Sequence, residues 1–166
     1  MFEMNRMYHN QPISYLLSIT VIVAVLCPPI SRAQLKITIK DLPEAIDLLG
    51  DAQPNVRATA AAWIYHFEGD IQPAISHLIE ALDDKANAII EDPKTGETSP
   101  ATASKFARKC LIKLGESAVN PLSIALMKHR PSVRWWAAHI LGEIGNVEAV
   151  DFLVSALEED SDKLVR

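Results

Sequence analysis

Hydrophobic residues in the second half of the chain recur with the spacing of amphipathic helices. Val119, Leu122 and Leu126 fall at i, i+3 and i+7, on one side of a helix. A second stripe with the same period follows, at Val133, Ala137, Ile140, Leu141 and Ile144. The segment KHRPS between the stripes is polar and contains a proline. This pattern predicts a pair of helices over residues 118–147.

The same helix pair recurs along the chain. The segments AISHLIEALDD, AVNPLSIALMK and AVDFLVSALEE begin at Ala74, Ala118 and Ala149 and align with one another. Alignment of the copies predicts four repeats, at about residues 42–70, 71–117, 118–147 and 148–166. The fourth stops where its second helix should begin, so we expect it to be truncated.

Proline and glycine mark the predicted starts and ends of helices, and one repeat contains an insertion. Gly115 and Gly145 fall where second helices should end, and an inserted surface loop is predicted at about residues 85–101, where Ala-Ile-Ile can pack back onto the helices. Six of the ten prolines are predicted to begin helices, where the missing N–H is harmless: Pro43, Pro54, Pro73, Pro100, Pro121 and Pro131.

The third repeat carries a recognisable motif. Its pairs Val133-Arg134, Ala137-Ala138, Leu141-Gly142 and Ile144-Gly145 resemble the HEAT-like repeat family that was named from phycobilisome lyases. The resemblance implies an all-α fold, a HEAT-like α-solenoid in which antiparallel helix pairs stack into a superhelix. One pair cannot bury its apolar stripe alone, whereas stacked neighbours can.

The N-terminal segment is different in kind. Ile13 to Cys27 is an uncharged apolar run, and Ser31-Arg32-Ala33 follows it as a small-x-small pattern. Residues 1–33 are therefore predicted to be a signal peptide, followed by an extended lead at 34–41. This predicts a secreted or periplasmic protein. The alternative is a membrane anchor formed by the same segment left uncleaved, the only membrane contact that we expect.

Charge limits the class of partner, and the cysteine content indicates what stabilises the fold. The formal net charge is −5, and binders of nucleic acid usually carry a basic surface, so we expect no nucleic-acid partner. Cleavage after Ala33 leaves only Cys110, and stability must then come from packing. Cys110 lies among apolar residues of a second helix and is predicted to be a core residue rather than a nucleophile.

Arginines recur at one position of the repeat. Arg57, Arg134 and Arg166 are each predicted in the first turn of a second helix, where a cation opposes the helix dipole and calls for an acidic neighbour. The acidic residues that end the first helices are the candidates: Asp51, Asp83, Asp84, Glu158, Glu159 and Asp160. The family resemblance likewise implies a structural Asp–Arg ladder. Ser104 replaces the arginine in the second repeat, which should interrupt the ladder there.

A tryptophan pair marks the candidate binding surface. Trp136 flanks the core, whereas Trp135 lies on another side of the helix and is expected to stack with His139 at i+4. Lys105 and Lys109 occupy the equivalent positions of the second repeat, and Lys113 continues their row. The side chains predicted to form one basic strip with an aromatic edge are those of Trp135, His139, Lys105, Lys109 and Lys113. The alternative is that Trp135 packs on a neighbouring loop and that the lysines are only solvated.

Catalytic and metal-binding motifs are missing from the sequence. It contains no H-E-x-x-H pair, G-x-S-x-G elbow or phosphate-binding glycine loop. Deoxyhypusine hydroxylases share this repeat type and bind iron through His-Glu dipeptides, but here Phe67 follows His66 and Ile140 follows His139. We therefore expect no metal, no cofactor and no enzymatic activity.

The sequence predicts a non-catalytic scaffold that binds a protein or peptide on the inner surface of the helical stack. The alternative implied by the resemblance is a phycobilin lyase-like chromophore-attachment enzyme or chaperone. A third hypothesis is that these residues are one end of a longer protein whose activity lies elsewhere. Retention of a visible absorption band would distinguish the second hypothesis from the first.

Overall fold

The structure is a computed structural model that describes residues 37–166, which form one compact unit. The predicted signal peptide and the beginning of the predicted lead lie outside the described residues. Seven α-helices run through this unit: α1 (Leu42–Leu48), α2 (Pro54–His66), α3 (Ile75–Ala81), α4 (Ala103–Leu114), α5 (Glu116–Lys128), α6 (Pro131–Ile144) and α7 (Val150–Glu159). Short 3-10 turns, Gln72–Ala74 and Val147–Ala149, lead into α3 and α7.

The helices form two layers of a solenoid. The first helices of successive repeats are α1, α3, α5 and α7, and the second helices are α2, α4 and α6. Each second helix packs on the first helix of its own repeat, and second helices of adjacent repeats also pack side by side. The prediction of a HEAT-like α-solenoid is confirmed at the level of the fold. The core lies between the layers and includes fully buried Ile64, Leu78, Leu111, Leu122 and Ile140.

Local signals fix where several helices begin and end. The Asp41 carboxylate accepts a hydrogen bond from the backbone N–H of Glu44 at 3.0 Å and caps α1. The Thr102 hydroxyl caps α4 in the same way, through the N–H of Lys105. Gly145 ends α6 in the left-handed conformation, with φ of 68°, and its N–H donates to the carbonyl of Leu141. These short-range contacts agree with the boundaries expected from the sequence.

Two of the six prolines were wrongly assigned. Pro43, Pro54, Pro73 and Pro131 lie in the first turn of a helix or of a 3-10 turn, as predicted. Pro121, however, lies inside α5, because that helix begins earlier, at Glu116 directly after Gly115. Pro100 lies in a β-strand. Proline alone therefore overestimates the number of helix starts.

The insertion in the second repeat is a β-hairpin rather than an irregular loop. Strand β1 (Ala88–Glu91) pairs antiparallel with β2 (Thr98–Ala101), with Ala88 opposite Ala101 and Glu91 opposite Thr98. The two faces of β1 differ, since Ile90 is 2% exposed and Ile89 is 63% exposed. β1 packs on α2. The expected contact of the insertion with the helices is thus present, and it is made by a strand.

Candidate functional site

Trp135 lies on the exposed side of α6 within an aromatic group. Its indole is 40% exposed and stacks on the imidazole of His139, with ring centroids 5.6 Å apart and planes 24° apart. It also meets Trp136 in an edge-to-face arrangement, with ring centroids 4.5 Å apart and planes 75° apart, and Trp136 in turn neighbours His139. His139 Nε2 also lies 3.1 Å from a carboxylate oxygen of Glu143, one turn further on. The predicted stacking of Trp135 with His139 is therefore present, and its neighbours limit the motion of the indole.

Trp136 connects the second and third repeats. It is half-buried against the core, and the guanidinium carbon of Arg108 on α4 lies 5.2 Å from its ring centroid. A cation above an indole face is attracted by the ring quadrupole. Because Trp135 rests on Trp136, this contact helps to hold the exposed indole in place.

Two lysines of α4, Lys109 and Lys113, point toward α2. Lys109 Nζ lies 5.1 Å from the ring centroid of Tyr65 and 5.4 Å from that of Phe106. Lys113 Nζ donates hydrogen bonds to the backbone carbonyls of Tyr65 and Phe67, at 3.1 and 3.0 Å. A cation at this position satisfies carbonyls that the end of α2 leaves free. Lys109 and Lys113 therefore fasten α4 to the end of α2.

The single strip predicted from the sequence is divided into two patches. Lys109 and Lys113 belong to a shallow groove of about 570 Å³, which Tyr65, His66, Glu68, Lys94 and Ile112 also line. Trp135 and His139 contact each other and Trp136, and no hydrogen bond or cation–π contact joins them to the lysines in residues 37–166. Lys105 is exposed on α4. The prediction of one continuous strip was wrong, because Lys109 and Lys113 contact Tyr65 and backbone carbonyls at the end of α2, in the first repeat.

Two of the repeating arginines pair with an aspartate of the following repeat. Arg57 Nε donates to the Asp84 carboxylate at 2.6 Å, and Arg134 makes two bonds of 2.7 Å to Asp160. Each also donates to carbonyls in the turn before its own helix: Arg57 to Asp51 and Ala52, Arg134 to His129. One guanidinium thus joins its own turn to the next repeat.

These contacts change the pKa of both partners. The hydrogen bond from Arg134 holds the pKa of Asp160 below its ordinary value, and the same bond raises the pKa of Arg134. Burial opposes ionisation of Asp84, but hydrogen bonds from Arg57 and from the Ala86 N–H outweigh it, and the pKa of Asp84 is lowered as well. Each pair is therefore a charged link.

Three residues of the predicted ladder have other roles. Asp51 contributes its backbone carbonyl to Arg57, while its carboxylate accepts from the N–H of Gln53. Asp83 points to the third repeat, where Arg130 Nε lies 3.1 Å away and the Ser132 hydroxyl donates to it. Arg166 donates to the carbonyl of Asp160 at 2.9 Å. The assignment of Asp83 as a partner of the repeating arginines was wrong, because Asp83 and the adjacent Asp84 face different repeats. Asp51 makes no side-chain bond to Arg57, but besides the hydrogen bond to Asp84 its negative charge helps to raise the pKa of that arginine.

The ladder is interrupted between the second and third repeats. Ser104 bonds within its own turn, to the hydroxyl of Thr102 at 3.0 Å. The link at this junction runs in the opposite direction, from Arg130 back to Asp83 and Glu80, with His129 Nδ1 3.6 Å from Glu80. Arg130 is 54% exposed and Glu80 58% exposed, whereas Arg134 and Asp160 are 14% and 7% exposed.

Some contacts near the groove had no signal in the sequence. The tip of the hairpin is held by Asp92, whose carboxylate accepts from the N–H groups of Lys94 and Thr95 and lies 3.2 Å from His66 Nε2. Trp63 stacks on Phe67, with ring centroids 5.0 Å apart. The contact of His66 with Asp92 joins α2 to the hairpin, and the contact of Trp63 with Phe67 lies at the end of α2. The repeat alignment gives no position for Asp92, since the hairpin occurs in one copy only, whereas the contact of Trp63 with Phe67 follows from their i, i+4 spacing.

Cys110 lies in the core of the part of the chain that the structure describes. Cys110 is fully buried, and burial raises the pKa of its thiol to about 12, the opposite of what a nucleophilic thiolate needs. No group of three or more histidine, cysteine or acidic side chains lies close enough to hold a metal ion among residues 37–166. None of the helices described is both long and apolar enough to cross a bilayer.

Comparison with known proteins gives matches at the level of the repeat. Residues 96–166 match the family of HEAT repeats, and residues 56–84 match the PBS lyase HEAT-like repeat. The unmatched residues between them include most of the inserted hairpin. No curated protein matches the chain.

Thirteen chains of solved structures match as well. One belongs to the complex of CpcE and CpcF of phycocyanin lyase from Nostoc sp. PCC7120, with 25% sequence identity and a TM-score of 0.45. The match covers 79% of this chain but 47% of that one, so this chain spans about half the length of that relative. The family matches and the solenoid described above together show that this chain contains HEAT repeats, among them a PBS lyase HEAT-like repeat.

Proposed function

We propose that this protein is a non-catalytic scaffold that binds a protein or peptide partner through the exposed sides of α4 and α6. The observation that carries the proposal is the arrangement of Trp135. A large aromatic side chain is 40% exposed on a rigid helix, where it stacks on His139 and meets Trp136 edge-on. Tryptophan is enriched among the residues that dominate binding energy in protein interfaces.

The side chains around Trp135 reduce the loss of conformational entropy when a partner binds. An exposed side chain normally loses rotamer freedom when a partner covers it, and this loss costs about 0.5–1.5 kcal/mol for a flexible side chain. Stacking on His139 has already restricted the indole. Glu143, which lies beside His139, supplies a charged group at the edge of the aromatic patch, as is typical of an interface rim.

The basic groove on α4 favours a partner with acidic side chains. Lys94, Lys109 and Lys113 line it together with Tyr65, and Glu68 is the one carboxylate in the lining. The formal net charge of the chain is −5, so this local excess of cations departs from the overall balance. A peptide that places an apolar side chain on Trp135 and an acidic residue in the groove would satisfy both patches.

Site-specific photo-crosslinking tests the proposal. A benzophenone amino acid in place of Glu143, an exposed residue beside His139, in the full chain expressed in its own host, should give an adduct of discrete mass. The same amino acid in place of Asn120, exposed on the first-helix layer in α5, is the matched control and should give none. Equal adducts at both positions, or none at position 143, would contradict the proposal.

A second variant separates binding from folding. Trp135→Ala should remove the interaction with the partner identified by crosslinking, while the far-ultraviolet circular dichroism spectrum and the melting temperature change little, because the side chain is exposed. Unfolding of Trp135→Ala would make the tryptophan structural instead. A visible absorption band in the purified protein would favour the chromophore-binding alternative.

A further inference from the structure

Arg108 carries a positive charge that has no counter-charge in the part of the chain described here. It lies in the middle of α4 and faces α6, where its guanidinium carbon is 5.2 Å from the ring centroid of Trp136. Arg57, Arg130 and Arg134 each pair with a carboxylate, but Arg108 forms no ion pair within residues 37–166. Its Nε is buried and has no hydrogen-bond partner among those residues. The cation is therefore partly removed from water without compensation.

The accessible end of this guanidinium suits a carboxylate. Nε is closed off, whereas Nη1 and Nη2 remain open to solvent. The indole of Trp136 lies against the group and attracts it, which restricts its orientation. A guanidinium held in this way presents a planar fork of N–H donors, and that fork matches the two oxygens of a carboxylate.

The charge around Arg108 also favours an anion. The sequence of α4, ASKFARKCLIKL, contains four cations and no acidic residue. On the facing helix α6, the carboxylate of Glu143 is engaged by His139. An acidic group that approaches the junction of α4 and α6 therefore meets an excess of positive charge. This excess exists although the formal net charge of the whole chain is −5.

The surroundings indicate a side-chain carboxylate beside an aromatic residue. Trp136 is bordered by the rings of Trp135 and His139, with centroids 4.5 and 5.8 Å away, so the cation adjoins an apolar surface. A terminal carboxylate is usually captured by free backbone N–H groups, and those in the middle of α4 are used within the helix. We propose that Arg108 binds an aspartate or glutamate side chain of the partner peptide, next to an aromatic residue that covers Trp135. This assignment rests on the proposed function and adds a specificity-determining residue to it.

Three dipeptides test the assignment on the full chain. Acetyl-Phe-Asp-amide carries a side-chain carboxylate, acetyl-Phe-Asn-amide is its neutral counterpart, and acetyl-Asn-Phe with a free C-terminus carries the charge at the chain end. The chain has three tryptophans, so an NMR spectrum shows three indole N–H signals. Trp136 and Trp135 report on the site, and Trp63, stacked on Phe67 at the end of α2, is the internal reference.

The signal of Trp136 should shift saturably with acetyl-Phe-Asp-amide, and that of Trp63 should not. We expect this peptide to bind at least about tenfold more tightly than the other two, because a hydrogen bond between two charged groups contributes about that factor.

Matched substitutions distinguish the guanidinium fork from positive charge in general. Arg108→Gln should abolish the preference for the aspartate peptide over the asparagine peptide. Lys105→Gln removes the same charge about one turn earlier, at an exposed position, and should weaken binding only about twofold because exposed charges are screened. Arg108→Lys retains the charge without the fork and should give an intermediate affinity. It also provides the comparison if Arg108→Gln does not fold.

Several results would overturn the assignment. They are an unshifted Trp136 signal, equal binding of the aspartate and asparagine peptides, equal losses in Arg108→Gln and Lys105→Gln, and tighter binding of the peptide with a free C-terminus. Crosslinking at position 143 tests the proposed function separately. An adduct formed at full yield in Arg108→Gln would retain the scaffold and remove Arg108 from its interface. No adduct, together with preferential binding of the aspartate peptide, would refute the scaffold and retain the carboxylate site.

Discussion

Asp160 is the residue whose charge state is most directly tied to the stability of a repeat junction. Its pKa is lowered, first by the hydrogen bond from Arg134, so the folded state favours the ionised form. Such a group contributes stability fully above the pKa of an unfolded aspartate, about 3.9, and the contribution is lost as the pH falls through the lower folded value.

The corresponding prediction concerns Asp160→Asn. At neutral pH this variant should lower the free energy of unfolding by about 1–2 kcal/mol, because a charge-assisted pair becomes a neutral contact. The difference from the unmodified protein should shrink as the pH is lowered below about 4. Urea unfolding at a series of pH values measures both. Asp151→Asn, at an exposed carboxylate of α7, is the control, and an equal effect of the two substitutions would contradict the prediction.

Single residues also show the limit of what the repeat pattern can predict. Alignment of the copies found Arg57 and Arg134 because they occupy one position of the repeat. Their partners were harder to find, since Asp84 and Asp160 lie in the next repeat and the choice between Asp83 and Asp84 depends on which way each side chain points. Similarly, the stacking of Trp135 with His139 follows from helix geometry, whereas the direction of Lys113 depends on carbonyls of another helix.

Among the elements, the hairpin in the second repeat departs most from the sequence-based expectation. Its strands have four residues each, too few for alternation to stand out, and β2 contains a proline. The hairpin is stabilised by its contact with α2 and by the turn at Asp92. Helices with three or more turns were predictable because their period repeats within each copy. An insertion present once has no copy to confirm it.

Adjacent residues of β1 test how the hairpin is attached. Ile90→Asp should destabilise the protein by about 3 kcal/mol or more, because it places an unpaired carboxylate in an apolar site beneath the hairpin. Ile89→Asp makes the same chemical change on the exposed face and should alter stability by no more than about 0.5 kcal/mol. Thermal unfolding of the two variants gives the comparison. Similar losses from both would mean that the hairpin does not pack on α2.

At the scale of the whole molecule, the described repeats are joined by three junctions of unequal character. The outer two contain the largely buried pairs of Arg57 with Asp84 and of Arg134 with Asp160. The middle one contains Arg130, which is 54% exposed and pairs with Glu80, 58% exposed, and with Asp83, 25% exposed. Salt screens exposed charges strongly and shielded ones much less.

Salt should therefore act on the middle junction first. Raising the ionic strength from about 0.1 to about 1 M shortens the screening length from about 10 to about 3 Å. We expect backbone amide exchange to accelerate on both sides of that junction, at the ends of α3 and α5, more than at the outer junctions. Hydrogen-exchange mass spectrometry resolves these segments. In Arg130→Gln the extra acceleration should disappear, and a uniform response along the chain would refute the expectation.

The reversed link between the second and third repeats also has a mechanical consequence. A solenoid pulled from its two ends transmits tension through every junction in series, and it yields first where the lateral ties are weakest. Among the three charged links, the one between α3 and α5 is the most exposed to solvent, so stretching in salt should break that link before the pairs of Arg57 with Asp84 and of Arg134 with Asp160.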